Sequence, residues 1–148
     1  MLSENLKLAR LYLVLLALFT LARWLQGSFG VPYDRGHHVF SIVTLTVMSC
    51  LYYGAFCRRW RGARLLQAVG FAFLLGLLSQ LVIFAATLLS YALDLQTYFN
   101  NPRALNVTEP VELIRAAGIR AGGLLANSIF AGITGALGWA LGGLLPEK

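Results

Sequence analysis

Residues 65–93 read LLQAVGFAFLLGLLSQLVIFAATLLSYAL, a stretch without one charged side chain. A helix rises about 1.5 Å per residue, and about 20 mostly apolar residues cross the roughly 30 Å hydrocarbon core of a bilayer. This stretch is long enough to span a membrane and to tilt or project beyond it. Working outward, three further apolar stretches qualify, at residues 8–25, 39–57 and 121–145. Charge, proline and asparagine collect in the breaks between them. The chain is therefore expected to be an all-α integral membrane protein, a four-transmembrane-helix bundle forming one membrane domain over residues 1–148.

Composition agrees with that expectation. Of the 148 residues, 58% are hydrophobic and 12% charged, against about 45–50% and about 25% in soluble domains. A soluble core of this size cannot hide so much apolar surface behind so few charges. The first stretch follows Lys7 and Arg10 as a signal peptide would. Arg23, Trp24, Leu25 and Gln26, however, stand where small residues at a cleavage site belong, so a retained helix is expected. Cys50 and Cys57 lie seven positions apart on one expected helix, about 10 Å along its axis and too far for a mutual disulfide. They read as small buried apolar groups.

Four crossings place both termini and residues 58–64 on one side, with loops 26–38 and 94–120 on the other. The 58–64 loop carries Arg58, Arg59, Arg61 and Arg64, close to the side that holds Lys7 and Arg10. By the positive-inside rule that face is cytoplasmic, giving an N-in, C-in topology in a bacterial plasma (inner) membrane. A net charge of +6 then serves lipid headgroups and topology, not nucleic acid. Trp24, Phe29 and Tyr33 on one side, and Tyr52, Tyr53 and Trp60 on the other, fit interfacial belts.

The long second outer loop carries an Asn100-Asn101-Pro102 turn signal. Thr108 is the expected N-cap of the last helix, with Pro110 in its first turn and Glu109 and Glu112 near the positive end of the dipole. Two continuations fit residues 111–120. Either a helix starts near Val111, with Glu112 and Arg115 paired at i, i+3, and enters lipid unbroken, or an amphipathic interfacial segment joins the span at Gly118 or Gly122-Gly123.

Stepping 100° per residue along the last helix gathers Ser128, Ala131, Gly132, Gly135, Ala136, Gly142 and Gly143 on one face. Phe130, Ile133, Leu137, Leu141 and Leu144 fall on the other. Small residues let helices approach closely in lipid, so the first face should pack on another helix. Trp139 falls within it, as a knob near the cytoplasmic end. Gly118/Gly122 and Gly138/Gly142 also match small-xxx-small spacing, and packing within the chain is the expected use. On the third helix Gln80, Thr87, Tyr91 and Asp94 form a polar stripe with Gly76. A buried amide must find a partner, and Asn127, Thr46, Ser49, Cys50 and Tyr53 can supply one. No acidic or basic residue sits near the centre of any expected span, which weighs against ion-coupled transport.

The stretch richest in chemistry is Pro32-Tyr33-Asp34-Arg35-Gly36-His37-His38. His37 and His38 are the candidate cofactor or metal contacts, suited to a metal, an anionic headgroup, a quinone or a tetrapyrrole. Neighbouring histidines point apart, and zinc would need Asp34, Glu109 or Glu112 from a loop brought alongside. The structural alternative has Asp34 capping a turn, Arg35 at the headgroups and the histidines opening the second helix. No protease, hydrolase, phosphate-loop or C-x-x-C pattern is present, and Asn106-Val107-Thr108 fits a glycosylation sequon that matters only in a eukaryotic secretory pathway. Three functional classes follow. The leading expectation is a non-catalytic accessory or structural subunit that partners other transmembrane chains, itself and membrane lipids. The others are a small homo-oligomeric channel or transporter using Gln80, Thr87 and Asn127, and a membrane enzyme or cofactor binder using residues 34–38.

Overall fold

The computed structural model describes residues 7–146. It is all-α, with four principal helices: α1 (Arg10–Ser28), α2 (Ile42–Arg61), α3 (Leu65–Ala92) and α4 (Leu113–Leu141). A helical turn at Tyr33–Gly36 lies between α1 and α2, and 3-10 turns occupy Pro102–Leu105 and Gly142–Leu144. Three of the helices, α1, α3 and α4 with its terminal turn, are long and apolar enough to cross a membrane. At about 1.5 Å per residue, α3 (28 residues) and α4 (29 residues) are each over 40 Å long, so both outreach the hydrocarbon core.

Local chemistry sets the helix ends. The Ser41 hydroxyl accepts the Thr44 backbone N–H at 3.3 Å and caps α2. Gly62, in the left-handed region at φ 61, ends α2, and the Ala63 N–H closes back to the Cys57 carbonyl at 2.9 Å. The next helix begins at Leu65, so α2 and α3 are antiparallel neighbours. Helix α4 begins not at Thr108 but after Glu112, which offers no side-chain cap. The reason is visible in the backbone: Glu112 is still extended at ψ 159, and the Val111 carbonyl accepts the Tyr91 hydroxyl at 2.7 Å, holding the approach against α3. From Leu113 the helix is unbroken, so residues 113–120 continue into α4 with no joint at Gly118 or Gly122-Gly123.

The bundle is built on α4. A Cβ placed on Gly76 of α3 would stand 2.5 Å from the Ala131 Cβ and 3.1 Å from the Ser128 Cα, and one on Gly135 would overlap Ala72. Toward α2, a Cβ on Gly54 would overlap the Gly135 carbonyl, one on Gly138 would overlap the Leu51 backbone, and one on Gly142 would come within 2.7 Å of the Ala55 carbonyl. The contacts with α2 are onto backbone and those with α3 onto alanine methyls and nearby backbone, the form of van der Waals packing that holds helices together in lipid. Gly132 meets Val69 and Phe73 at ordinary distances, and Ala136 is half-buried. Phe130, Ile133, Leu137, Leu141 and Leu144 point outward. Around Gly118 and Gly122 nothing lies within 4 Å.

Helix α1 is attached differently. Only Tyr12 and Leu16 of its 19 residues are buried, while Leu11, Val14, Leu18 and Leu21 are exposed. Its anchor is polar: the Tyr12 hydroxyl donates to the Leu75 carbonyl of α3 at 3.1 Å and lies 3.0 Å from Thr46 Oγ1 of α2. We expect Gly138→Val to destabilise the bundle by about 1–3 kcal/mol through overpacking. Gly118→Ala, in open space, should be neutral or stabilise by up to about 1 kcal/mol. Thermal unfolding of both variants in one detergent checks the contrast.

Candidate functional site

The bundle has two chemically distinct ends. At one end the N-terminal part of α1, the 62–64 link and the end of α4 come together. Arg58 Nη1 donates to the carbonyls of Trp139 (3.1 Å) and Ala140 (2.9 Å), and its guanidinium lies 4.4 Å from the Trp139 ring centroid. A cation on the last free carbonyls of a helix complements its dipole. Arg59 Nε donates to the Pro146 carbonyl at 3.2 Å, and Trp139 Nε1 donates to the Ala63 carbonyl at 2.8 Å. Two of the four arginines assigned from sequence to headgroups thus also tie the C-terminal segment to α2. Arg61 and Arg64 are both exposed, and both line a cavity of ≈ 720 Å³ with Leu8 and Gln67.

At the other end the two interhelical loops meet. After Asp94, which turns through φ 52, the Leu95 N–H returns to the Ser90 carbonyl. Asn100 then braces the turn, accepting the Thr97 N–H at 2.8 Å and donating to the Leu95 carbonyl at 2.9 Å. The result is that Thr97, Tyr98 and Phe99 are buried. A stretch read from sequence as an outer loop is folded into the end of the bundle. Gly27 of α1 is needed there, because a Cβ on it would stand 2.5 Å from the backbone of Thr97 and Tyr98. Gly36 is needed as well, since a Cβ on it would overlap the Tyr98 hydroxyl. That hydroxyl shares its proton between the carbonyls of Val31 (3.0 Å) and Pro32 (3.1 Å). Burial pushes the Tyr98 phenol above its ordinary value, with the Arg23 charge opposing, so it remains a donor at neutral pH.

Between these loops lies a cleft of ≈ 130 Å³ lined by Arg23, Tyr33, Ser41, Tyr98, Phe99 and Arg120, among others. Arg23 of α1 donates from Nη1 to the His37 carbonyl at 2.8 Å, and its guanidinium carbon lies 5.9 Å and 5.5 Å from the ring centroids of Tyr33 and Tyr98. Arg120 of α4 donates from Nε to Thr87 Oγ1 at 3.2 Å and from Nη2 to the Phe99 carbonyl at 2.8 Å. Both arginines are half-buried, and among the described residues neither meets a carboxylate. Asp34, the nearest acid in sequence to the cleft, pairs with Arg103.

The residues singled out from sequence fall in three places. Gln80 and Asn127 come together within the bundle, Asn127 Nδ2 donating to Gln80 Oε1 at 3.2 Å. Thr87 is fully buried and joins the outer cluster through Arg120, while Tyr91 reaches Val111. His37 and His38 sit beside the cleft with ring centroids 3.7 Å apart. His37 stacks on Tyr33 at 5.1 Å, and its Nδ1 faces the Tyr33 carbonyl at 3.0 Å. Among the described residues no group of three His, Cys, Asp or Glu side chains is placed to hold a metal. On the sequence alone Arg23 argues only against a cleavage site, and Arg120 has no role. The signal that would have found them is two arginines lying inside helices, each within about three turns of the outer end.

No family model matches the sequence, and no curated protein or solved structure is similar to it. The joined loops yield a double-mutant test. Gly36→Ala alone and Tyr98→Phe alone should each destabilise, the latter by about 1 kcal/mol for a lost hydrogen bond. Combined, they should cost less than the sum, because phenylalanine lacks the oxygen that the new methyl strikes. Thermal unfolding of the three variants reads the coupling.

Proposed function

We propose that the chain crosses a bacterial plasma membrane four times, N-in and C-in, and serves as a non-catalytic structural subunit of a larger membrane assembly. The fourth crossing is α2, whose threonines, tyrosines and terminal arginines lower its apolar character. Its 20 residues measure about 30 Å, which matches the hydrocarbon core. Thr44 and Tyr52 are exposed, but three of its polar groups turn inward: Thr46 donates to the Ile42 carbonyl at 2.7 Å, Cys50 Sγ faces the Ala72 carbonyl at 3.6 Å, and Tyr53 is buried. The Arg58–Arg64 end carries the dense positive charge, which supports placing it in the cytoplasm.

One observation carries the subunit reading. Beside the loosely packed α1 runs a groove of ≈ 500 Å³, lined by Leu13, Ala17 and Trp24 of α1 and by Val82, Ala86 and Leu89 of α3, among others. Trp24 Nε1 is buried with no hydrogen-bond partner among the described residues. A transmembrane helix of another subunit would fill this groove with aliphatic side chains. The bond from Asn127 Nδ2 to Gln80 Oε1 supports packing of α4 on α3 over a conducting path.

Two measurements test these readings. Reporter fusions should place both termini in the cytoplasm, whereas three crossings would separate them. Photo-crosslinking amino acids at Ala17 and Leu89 should give a discrete adduct with a different protein in native membranes. Adducts with lipid alone, or only with a second copy, would reject the subunit reading.

A further inference from the structure

We infer that the cleft between Arg23 and Arg120 binds one phosphoryl oxyanion at the outer membrane surface, carried on a phospholipid headgroup or free in solution. The inference is independent of the subunit reading, which rests on the groove beside α1. It starts from charge. Two guanidiniums from different helices line one small cleft, and their partners are neutral: the carbonyls of His37 and Phe99 and the hydroxyl of Thr87. Each guanidinium carries five N–H donors, so those three bonds leave most of the donor capacity of the pair unused. Like charges brought together in a poorly polarisable surrounding repel, and a bound anion removes that penalty.

The depth of the site fits a membrane-surface ligand. Arg23 lies five residues before the end of α1 and Arg120 seven residues after the start of α4, about 8 Å and 10 Å inside the helix ends. Both helix ends face the same pair of loops, so the guanidiniums lie toward that end of the bundle, within reach of a ligand that enters between the loops. The third wall is the N-terminus of the 20-residue α2, where Ser41, Ile42 and Val43 line the cleft and the helix dipole adds positive potential.

Shape favours a tetrahedral ligand. One guanidinium fork matches the two oxygens of a carboxylate, whereas two forks approaching from separate helices match an oxyanion with oxygens to offer in several directions. The cleft of ≈ 130 Å³ is ample on a scale where one water needs about 10–15 Å³. Tyr33 and Tyr98 flank Arg23 with their rings and limit the motion of its side chain.

The test uses purified full-length protein in a non-ionic detergent, titrated separately with inorganic phosphate and with phosphatidylglycerol. Thermal shift reads both titrations, and native mass spectrometry counts retained lipid. Saturable binding of phosphatidylglycerol alone would identify a lipid headgroup as the source, and binding of both would show that free phosphate suffices. The Arg23→Gln/Arg120→Gln variant should weaken binding at least tenfold. A second variant, Ser41→Asp, preserves an N-cap side chain for α2 and places a carboxylate on the cleft wall. It should also weaken binding at least tenfold while folding as the wild type does, and it decides the matter alone if the double variant does not fold. Wild-type protein that binds neither probe saturably, or Ser41→Asp protein that binds as tightly as wild type, would overturn the proposal.

Discussion

The rest of the structure depends on how closely α4 approaches its two neighbours. In lipid the surroundings of a helix are as apolar as its side chains, so association relies on close contact and not on escape from water. Glycine at positions 54, 76, 135, 138 and 142 brings backbone against backbone on the α2 side of α4 and backbone against alanine methyls on the α3 side. That contact fixes α2 and α3 relative to one another, and with them the positions of Thr87, Phe99 and Arg120. The outer cleft is therefore a product of packing some distance below it.

Polar groups inside the bundle follow the same geometry in tiers. The Tyr12 hydroxyl joins α1, α2 and α3, and Gln80 with Asn127 joins α3 to α4. Each such bond contributes on the order of 0.6 kcal/mol, whereas leaving an amide unpaired in hydrocarbon costs several times more. Their main effect is to select one register of helices. Toward the end where the two interhelical loops meet the groups become charged, and there Arg23 and Arg120 have neutral partners among the described residues.

Much of this was legible from the residues. The uncharged run of 65–93 marks α3 to within a residue, because length and apolar content are one-dimensional properties. The outward set Phe130, Ile133, Leu137, Leu141 and Leu144 follows from a 100° step along a helix. The start of α4 was misplaced because Thr108 and Pro110 imitate a helix opening, while the deciding bond comes from Tyr91, twenty positions earlier. The fold of residues 94–101 was likewise hidden, since burial of Thr97 and Tyr98 depends on Gly27 in α1 and on Gly36 in the turn that follows it. The arginine cleft is of the same kind: Arg23 and Arg120 lie nearly a hundred residues apart, and no local pattern joins them.

The seat of Arg58 bears on how the chain is made. Its acceptors, the carbonyls of Trp139 and Ala140, lie 81 and 82 positions further along the chain and are synthesised after it. Until they emerge, the end of α2 has only water and headgroups to satisfy its guanidinium, and Gly54 has no helix to close against. The least apolar of the four helices thus reaches its final seat only after the last one is in place.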